Sequence, residues 1–300
     1  MSDYARFLIA GAARLCLAAA VAAQSDQVLV PLRPGLRAEI DVNYVEAYTS
    51  VTKGERPLSG LGVEAFRVFE DGVEQDILRF EPPSHKPQHL LILIDVSESM
   101  EDLLGDVCSS VLRFLRRNLR LEDRAAIVTF RGSARLQVPW TSDFDRIERG
   151  MKGLETKGAT ALYDAVDASL TLFNGISGRR ALFVFSDGRD EGSKLDFDSA
   201  VERVRENRVP IFTVGLVQRG DPPGAPQRLS RIAAETGGRS FLVGDAGGLS
   251  AILGTVRREL EMQYLLAYQS SAEGQGSFRR IEVRVEVPGA QARTMAGYYP

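Results

Sequence analysis

The sequence predicts an α/β protein with a doubly wound, mostly parallel sheet flanked by helices. This core is inserted in a small antiparallel β module formed by the N- and C-terminal flanks. Three observations carry this reading. Leu90 to Ile94 is an unbroken aliphatic run, as expected of a strand buried on both faces. Helical spacing follows it, with Met100, Leu103, Leu104, Val107, Val111, Phe114 and Leu115 on one stripe. Strand-only patterns lie before and after the alternating region, and neither flank has enough strands to bury a face alone.

Composition sets the outer limits. The chain has 300 residues, 44% hydrophobic content and a formal net charge of -3, which fits an ordinary globular protein of about two domains. Neither charge sign dominates, so nothing points to nucleic acid. The only histidines are His85 and His89, and no HExxH or CxxC spacing is present to hold zinc.

Residues 1–23 are read as a signal peptide. The stretch Phe7 to Ala23 is small and apolar, is interrupted by Arg14, and closes on Val21-Ala22-Ala23 before Gln24. It is too short and too interrupted for a membrane span, so the expected location is exported, either periplasmic or secreted. Cys16 would leave with this segment. Cys108 would then stand alone, unable to form an intrachain disulfide and read as a buried small hydrophobe.

Residues 24–87 form the first part of the β module. Leu36 to Thr49 alternates, with Leu36, Ala38, Ile40, Val42 and Tyr44 on one face, until the apolar phase shifts to Val45 and Ala47. Asp71-Gly72 between two alternating runs predicts a hairpin with a type I′ turn. A Pro-rich linker over 81–87 ends this part.

Residues 88–261 are the α/β region. Strands are expected at Leu90 to Ile94, Ala125 to Phe130, Arg135 to Val138, Ala181 to Phe185, Ile211 to Leu216 and Ser240 to Val243. Helices are expected at about Met100 to Leu119, Asp143 to Gly150, Ala161 to Phe173, Phe197 to Asn207, Gln227 to Thr236 and Leu249 to Glu261. Residues 262–300 complete the β module, with strands at Gln263 to Tyr268, Phe278 to Val287 and Arg293 to Tyr298.

Ligands of open α/β sheets bind at the carboxyl ends of the strands. There the first core strand delivers Asp95, with Ser97 and Ser99 in the same turn. A glycine turn places Thr160 at or just before a helix start, and a second apolar strand delivers Asp187. Taken singly, Ser97, Ser99 and Thr160 would each make a good helix cap, and Asp187-Gly188 a turn.

Together these residues resemble the von Willebrand factor type A family, whose metal-ion-dependent adhesion site combines Asp-x-Ser-x-Ser, a distant Thr and a later Asp. The matching positions are Asp95, Ser97, Ser99, Thr160 and Asp187. The flanks, with Leu58 to Gly72, Tyr264 to Tyr268 and Gly297 to Pro300, are similar to a bacterial subgroup, the acidobacterial-type VWFA-related domains. The resemblance implies that Ser97, Ser99 and Thr160 hydroxyls reach the metal, while Asp95 and Asp187 act through water or hydrogen bonds. Hydroxyl and water oxygens suit a hard cation, Mg²⁺ first, with Mn²⁺ or Ca²⁺ as alternatives.

The expected function is therefore non-enzymatic. An exported module would capture a protein or peptide ligand whose Asp or Glu carboxylate completes the metal site. Two other readings stand beside it. One is a structural scaffold whose metal rigidifies the rim. The other is a phosphatase using Asp95 as nucleophile, for which Ser97 occupies the place of the needed acid.

Overall fold

The computed structural model describes residues 44–54, 56–84, 86–176, 178–216, 224–244, 248–271 and 276–300. The signal-peptide segment, the strand residues 36–43 and His85 lie outside them. The first flank supplies β1 (Tyr44–Lys53), β2 (Arg56–Pro57), β3 (Phe66–Glu70), β4 (Val73–Gln75) and β5 (Ile77–Glu81). The core follows with β6 (Gln88–Asp95), α1 (Leu104–Asn118), β7 (Arg124–Phe130), β8 (Ala134–Thr141), α2 (Phe144–Met151) and α3 (Leu162–Leu170). It continues with β9 (Arg179–Ser186), α4 (Phe197–Asn207), β10 (Ile211–Leu216), α5 (Ala225–Glu235), β11 (Ser240–Val243) and α6 (Leu249–Glu261). The second flank supplies β12 (Tyr264–Gln269), β13 (Arg279–Val285), β14 (Ala290–Arg293) and β15 (Gly297–Tyr298).

The core sheet runs β11-β10-β9-β6-β7-β8, parallel throughout except for the edge strand β8. Its central strand is β6, because its side chains are apolar on both faces. Leu90, Ile92 and Ile94 join a cluster with Val107, Val111 and Phe114 of α1 and Leu253 and Val256 of α6. Leu91 and Leu93 join the opposite cluster with Val166 of α3, Val204 of α4 and Ile232 of α5. Strand alternation thus turns one aliphatic run into the centre of two helix layers.

The flank strands mix across the chain ends. One sheet is β14-β1-β12-β5 with β2 beside β1; the other is β15-β13-β3-β4. Val45 and Val51 of β1, and Tyr264, Leu266 and Tyr268 of β12, share one apolar cluster with Phe66, Val68, Ile281 and Val283 of the other sheet. The two sheets therefore pack as a sandwich. In the β3–β4 hairpin, Asp71 and Gly72 have φ of 48° and 84°, as a type I′ turn requires.

Several expectations need correction. Helix α1 starts at Leu104 rather than Met100, since Glu98–Met100 is a 3₁₀ turn whose buried Met100 mimics helical spacing. The α-helix α3 stops at Leu170 and tightens into a 3₁₀ turn over Thr171–Phe173. The last strand divides into β14 and β15. Tyr44 does not share a buried face; it is 51% exposed, because Val45 and Ala47 set the inward phase of β1. His89 belongs to β6, with its ring edge-on to Trp140 at 5.5 Å.

Candidate metal centre

Asp95 ends β6 and is fully buried. Its Oδ1 accepts from the Ser97 amide at 2.9 Å, which folds the chain back after the strand, and its Oδ2 accepts from the Ser186 hydroxyl at 2.7 Å. Ser97 is buried, and its hydroxyl lies 3.1 Å from that of Ser99. Neither serine caps a helix. Ser97 precedes the 3₁₀ turn without a side-chain capping bond, and Leu103 holds the cap position of α1.

Thr160 is also buried and also fails to cap. The first amides of α3, Leu162 and Tyr163, donate instead to Asp190 Oδ1 at 2.7 and 3.3 Å, and Ser193 Oγ accepts from Tyr163 and Asp164. Asp164 reciprocates by accepting from the Lys194 and Leu195 amides at 3.0 Å each. Among the described residues, the Thr160 side chain makes no hydrogen bond. Its backbone is pinned: Glu191 and Gly192 amides donate to Thr160 O, and the Ala161 amide donates to Arg131 O just beyond β7. The loops after β7, α2 and β9 are thereby tied together.

Asp187 follows β9 and is buried. Its Oδ1 accepts from the Arg189 amide at 2.9 Å, closing an Asx turn in which Gly188 has φ of 80°. Its Oδ2 accepts no hydrogen bond among the described residues. Arg189 Nε is 3.2 Å away, close enough for charge attraction but poorly aimed as a donor. Glu98 sits exposed on the rim and pins the neighbouring loop, its amide donating to Gly158 O and its Oε1 accepting from Gly158 N.

Burial raises the Asp95 carboxyl to about 6; the serine hydrogen bonds oppose the rise and the Asp187 charge adds to it. Two acids and three hydroxyls on one rim, with the acids only partly neutralised, form a donor set that suits a hard divalent cation. Among the described residues no group of three or more His, Cys, Asp or Glu is placed to hold a metal. Ser186 lies outside the residues expected from the motif, and its one signal in the sequence is a hydroxyl closing an otherwise apolar strand. Asp190 and Ser193, caps supplied from a distant loop, lie outside those residues too.

The mostly parallel sheet carries helices on both faces, with this rim at its carboxyl end. Residues 90–189 match the family model of the von Willebrand factor type A domain, and that stretch contains Asp95, Ser97, Ser99, Thr160 and Asp187. A von Willebrand factor type A protein from Catenulispora acidiphila shares the fold with a TM-score of 0.50 at 13% identity, over 86% of this chain and 74% of that one. The von Willebrand factor domain of the type V pili tip protein Mfa5 from Porphyromonas gingivalis gives 0.50 at 12% identity, over 64% of this chain and 98% of that one. The PilB minor pilin from Streptococcus sanguinis gives 0.51 at 11% identity, over 59% of this chain and 61% of that one. At these identities the likeness concerns the fold. No curated protein matches the chain.

Proposed function

We propose that this chain is an exported, non-catalytic interaction module that captures a protein or peptide through a divalent cation, Mg²⁺ first and Mn²⁺ or Ca²⁺ as alternatives. The observation that carries the reading is that Ser97, Ser99 and Thr160 are drawn into the rim without capping any helix. Their hydroxyls would hold the ion, and Asp95 and Asp187 would act through water or hydrogen bonds. A bound ion of this kind supplies uncancelled positive charge toward which a partner's Asp or Glu carboxylate turns.

The remaining residues prepare that geometry. Ser186 fixes one oxygen of Asp95, and the Asp190–Ser193 cap holds the Thr160 loop against α3. Arg189 Nε lies 3.2 Å from Asp187 Oδ2 and offsets part of its charge, the one feature that favours the scaffold reading. A phosphatase reading fits poorly, because both Asp95 oxygens already accept hydrogen bonds and Ser97 stands where an acid is required. Support for export is the signal-peptide pattern of residues 1–23; among the described residues no helix is long and apolar enough to cross a membrane.

The test is to pan a peptide library on the protein in Mg²⁺ and elute with chelator. Selected peptides should contain Asp or Glu, and should lose binding when that residue becomes its amide or when Thr160→Ala is used. Selected peptides indifferent to chelator would contradict metal-bridged capture, and the scaffold reading would then be preferred.

A further inference from the structure

A second site lies at the amino ends of the core strands, on the seam with the β-sandwich and away from Asp95. Here a cavity of about 250 Å³ is lined by Tyr44, Glu46 and Tyr48 of β1, Arg180 of β9, Arg208 after α4, and Met295 between β14 and β15. Among the described residues, the Arg180 side chain makes no direct ion pair and no hydrogen bond, though Tyr48 and Glu46 act on it electrostatically. Arg208 donates to Tyr299 O at 2.7 Å and lies over the Tyr298 ring at 4.8 Å, with no carboxylate partner in an ion pair. Burial pulls both guanidinium groups below their ordinary range.

The backbone at Arg208 adds an independent observation. Its φ of 53° and ψ of 32° place an arginine where a helix usually ends on glycine or asparagine. Left-handed geometry at such a residue costs about 1 kcal/mol or more, and such outliers cluster at ligand sites. The one acid of the wall, Glu46, lies 3.8 Å from Arg79, and its charge also acts on Arg180 without a direct ion pair. A half-buried Arg180 and a more exposed Arg208 thus line a small space walled by tyrosines and a methionine.

We propose that this seam cavity binds a small organic monocarboxylate with a flat apolar body. Arg180 and Arg208 face its carboxylate, and Tyr44, Tyr48 and Met295 cover its body. The guanidinium fork matches a carboxylate, and arginine pairs of this kind are stronger than neutral hydrogen bonds. Glu46 disfavours a dianion such as inorganic phosphate more than a single negative charge. This site is independent of the metal centre.

The test is calorimetric titration of benzoate and of inorganic phosphate into the full chain, alongside Arg180→Gln and Arg208→Lys. Saturable benzoate binding is expected, weakened about tenfold or more in Arg180→Gln, the loss of one charge-assisted contact. Arg208→Lys, which keeps the charge but loses the fork, should weaken it too, and serves alone if Arg180→Gln does not fold. Phosphate should bind less tightly than benzoate. No saturable benzoate binding by the folded protein, unchanged affinity in the folded variants, or a preference for phosphate would each overturn the assignment.

Discussion

Two buried carboxylates, one in each half of the molecule, are treated in opposite ways. Glu70 of β3 is 2% exposed and accepts from Tyr268 Oη at 2.7 Å, from Tyr298 Oη at 3.1 Å and from Ser270, with Arg279 at 3.7 Å. Burial and then Glu70 itself push the Tyr268 hydroxyl up, so it stays a donor. Asp95 receives one amide and one hydroxyl, has no ion pair to a cation among the described residues, and feels the charge of Asp187. The difference separates an acid that holds strands together from an acid kept short of compensation. Under the proposed function, a cation from outside would supply the compensation that Asp95 lacks.

The widest break in that comparison is expected from mutating each acid. Glu70→Ala should cost about 3–5 kcal/mol in denaturant unfolding, because it removes the acceptor shared by two buried phenols and one of the carboxylates beside the buried Arg279. Asp95→Asn should leave the metal-free protein as stable or more so, while removing cation binding. Comparable destabilisation by both changes would erase the distinction.

A pH series sharpens it. Because the folded Asp95 titrates near 6 rather than 3.8, its contribution to stability is full below about 3.8 and is lost as pH rises through about 6. The span corresponds to about 3 kcal/mol. In chelator, the stability of Asp95→Asn relative to wild type should therefore rise between about pH 4 and pH 7 by up to that amount. A flat difference across that range would contradict the raised value.

Smaller effects bear on the loops that shape the rim. Gly188 has φ of 80°, and a Cβ there would lie 3.0 Å from Ala225 O. Gly188→Ala should cost about 1–3 kcal/mol by thermal unfolding and weaken cation binding as well. Asp190→Ala should cost about 1 kcal/mol, as a lost cap does, with Leu162 and Tyr163 amides exchanging faster with solvent.

Much of this architecture was legible because its causes are local. The Leu90–Ile94 run needs no partner to declare itself a central strand, and Asp71-Gly72 needs only its own φ preferences to declare a hairpin. Asp95, Ser97 and Ser99 fall in one turn, so their proximity could be read directly. What stayed hidden depends on distance in the chain. Ser186 reaches Asp95 across 91 residues, and Asp190 caps a helix that begins 28 residues before it. Strands β1 and β3 likewise fall in different sheets through partners more than 200 residues away, which no alternation pattern specifies.

The central claim is best tested by calorimetric titration of Mg²⁺ and Mn²⁺ into chelator-stripped protein, with Thr160→Ala as the control. Thr160 is the informative position because its hydroxyl makes no other hydrogen bond among the described residues, so the fold should survive its loss. Saturable one-to-one binding by the wild type, abolished in the variant, is the predicted result. No binding by the folded wild type, or equal affinity in Thr160→Ala, would contradict the assignment of this rim as a metal centre.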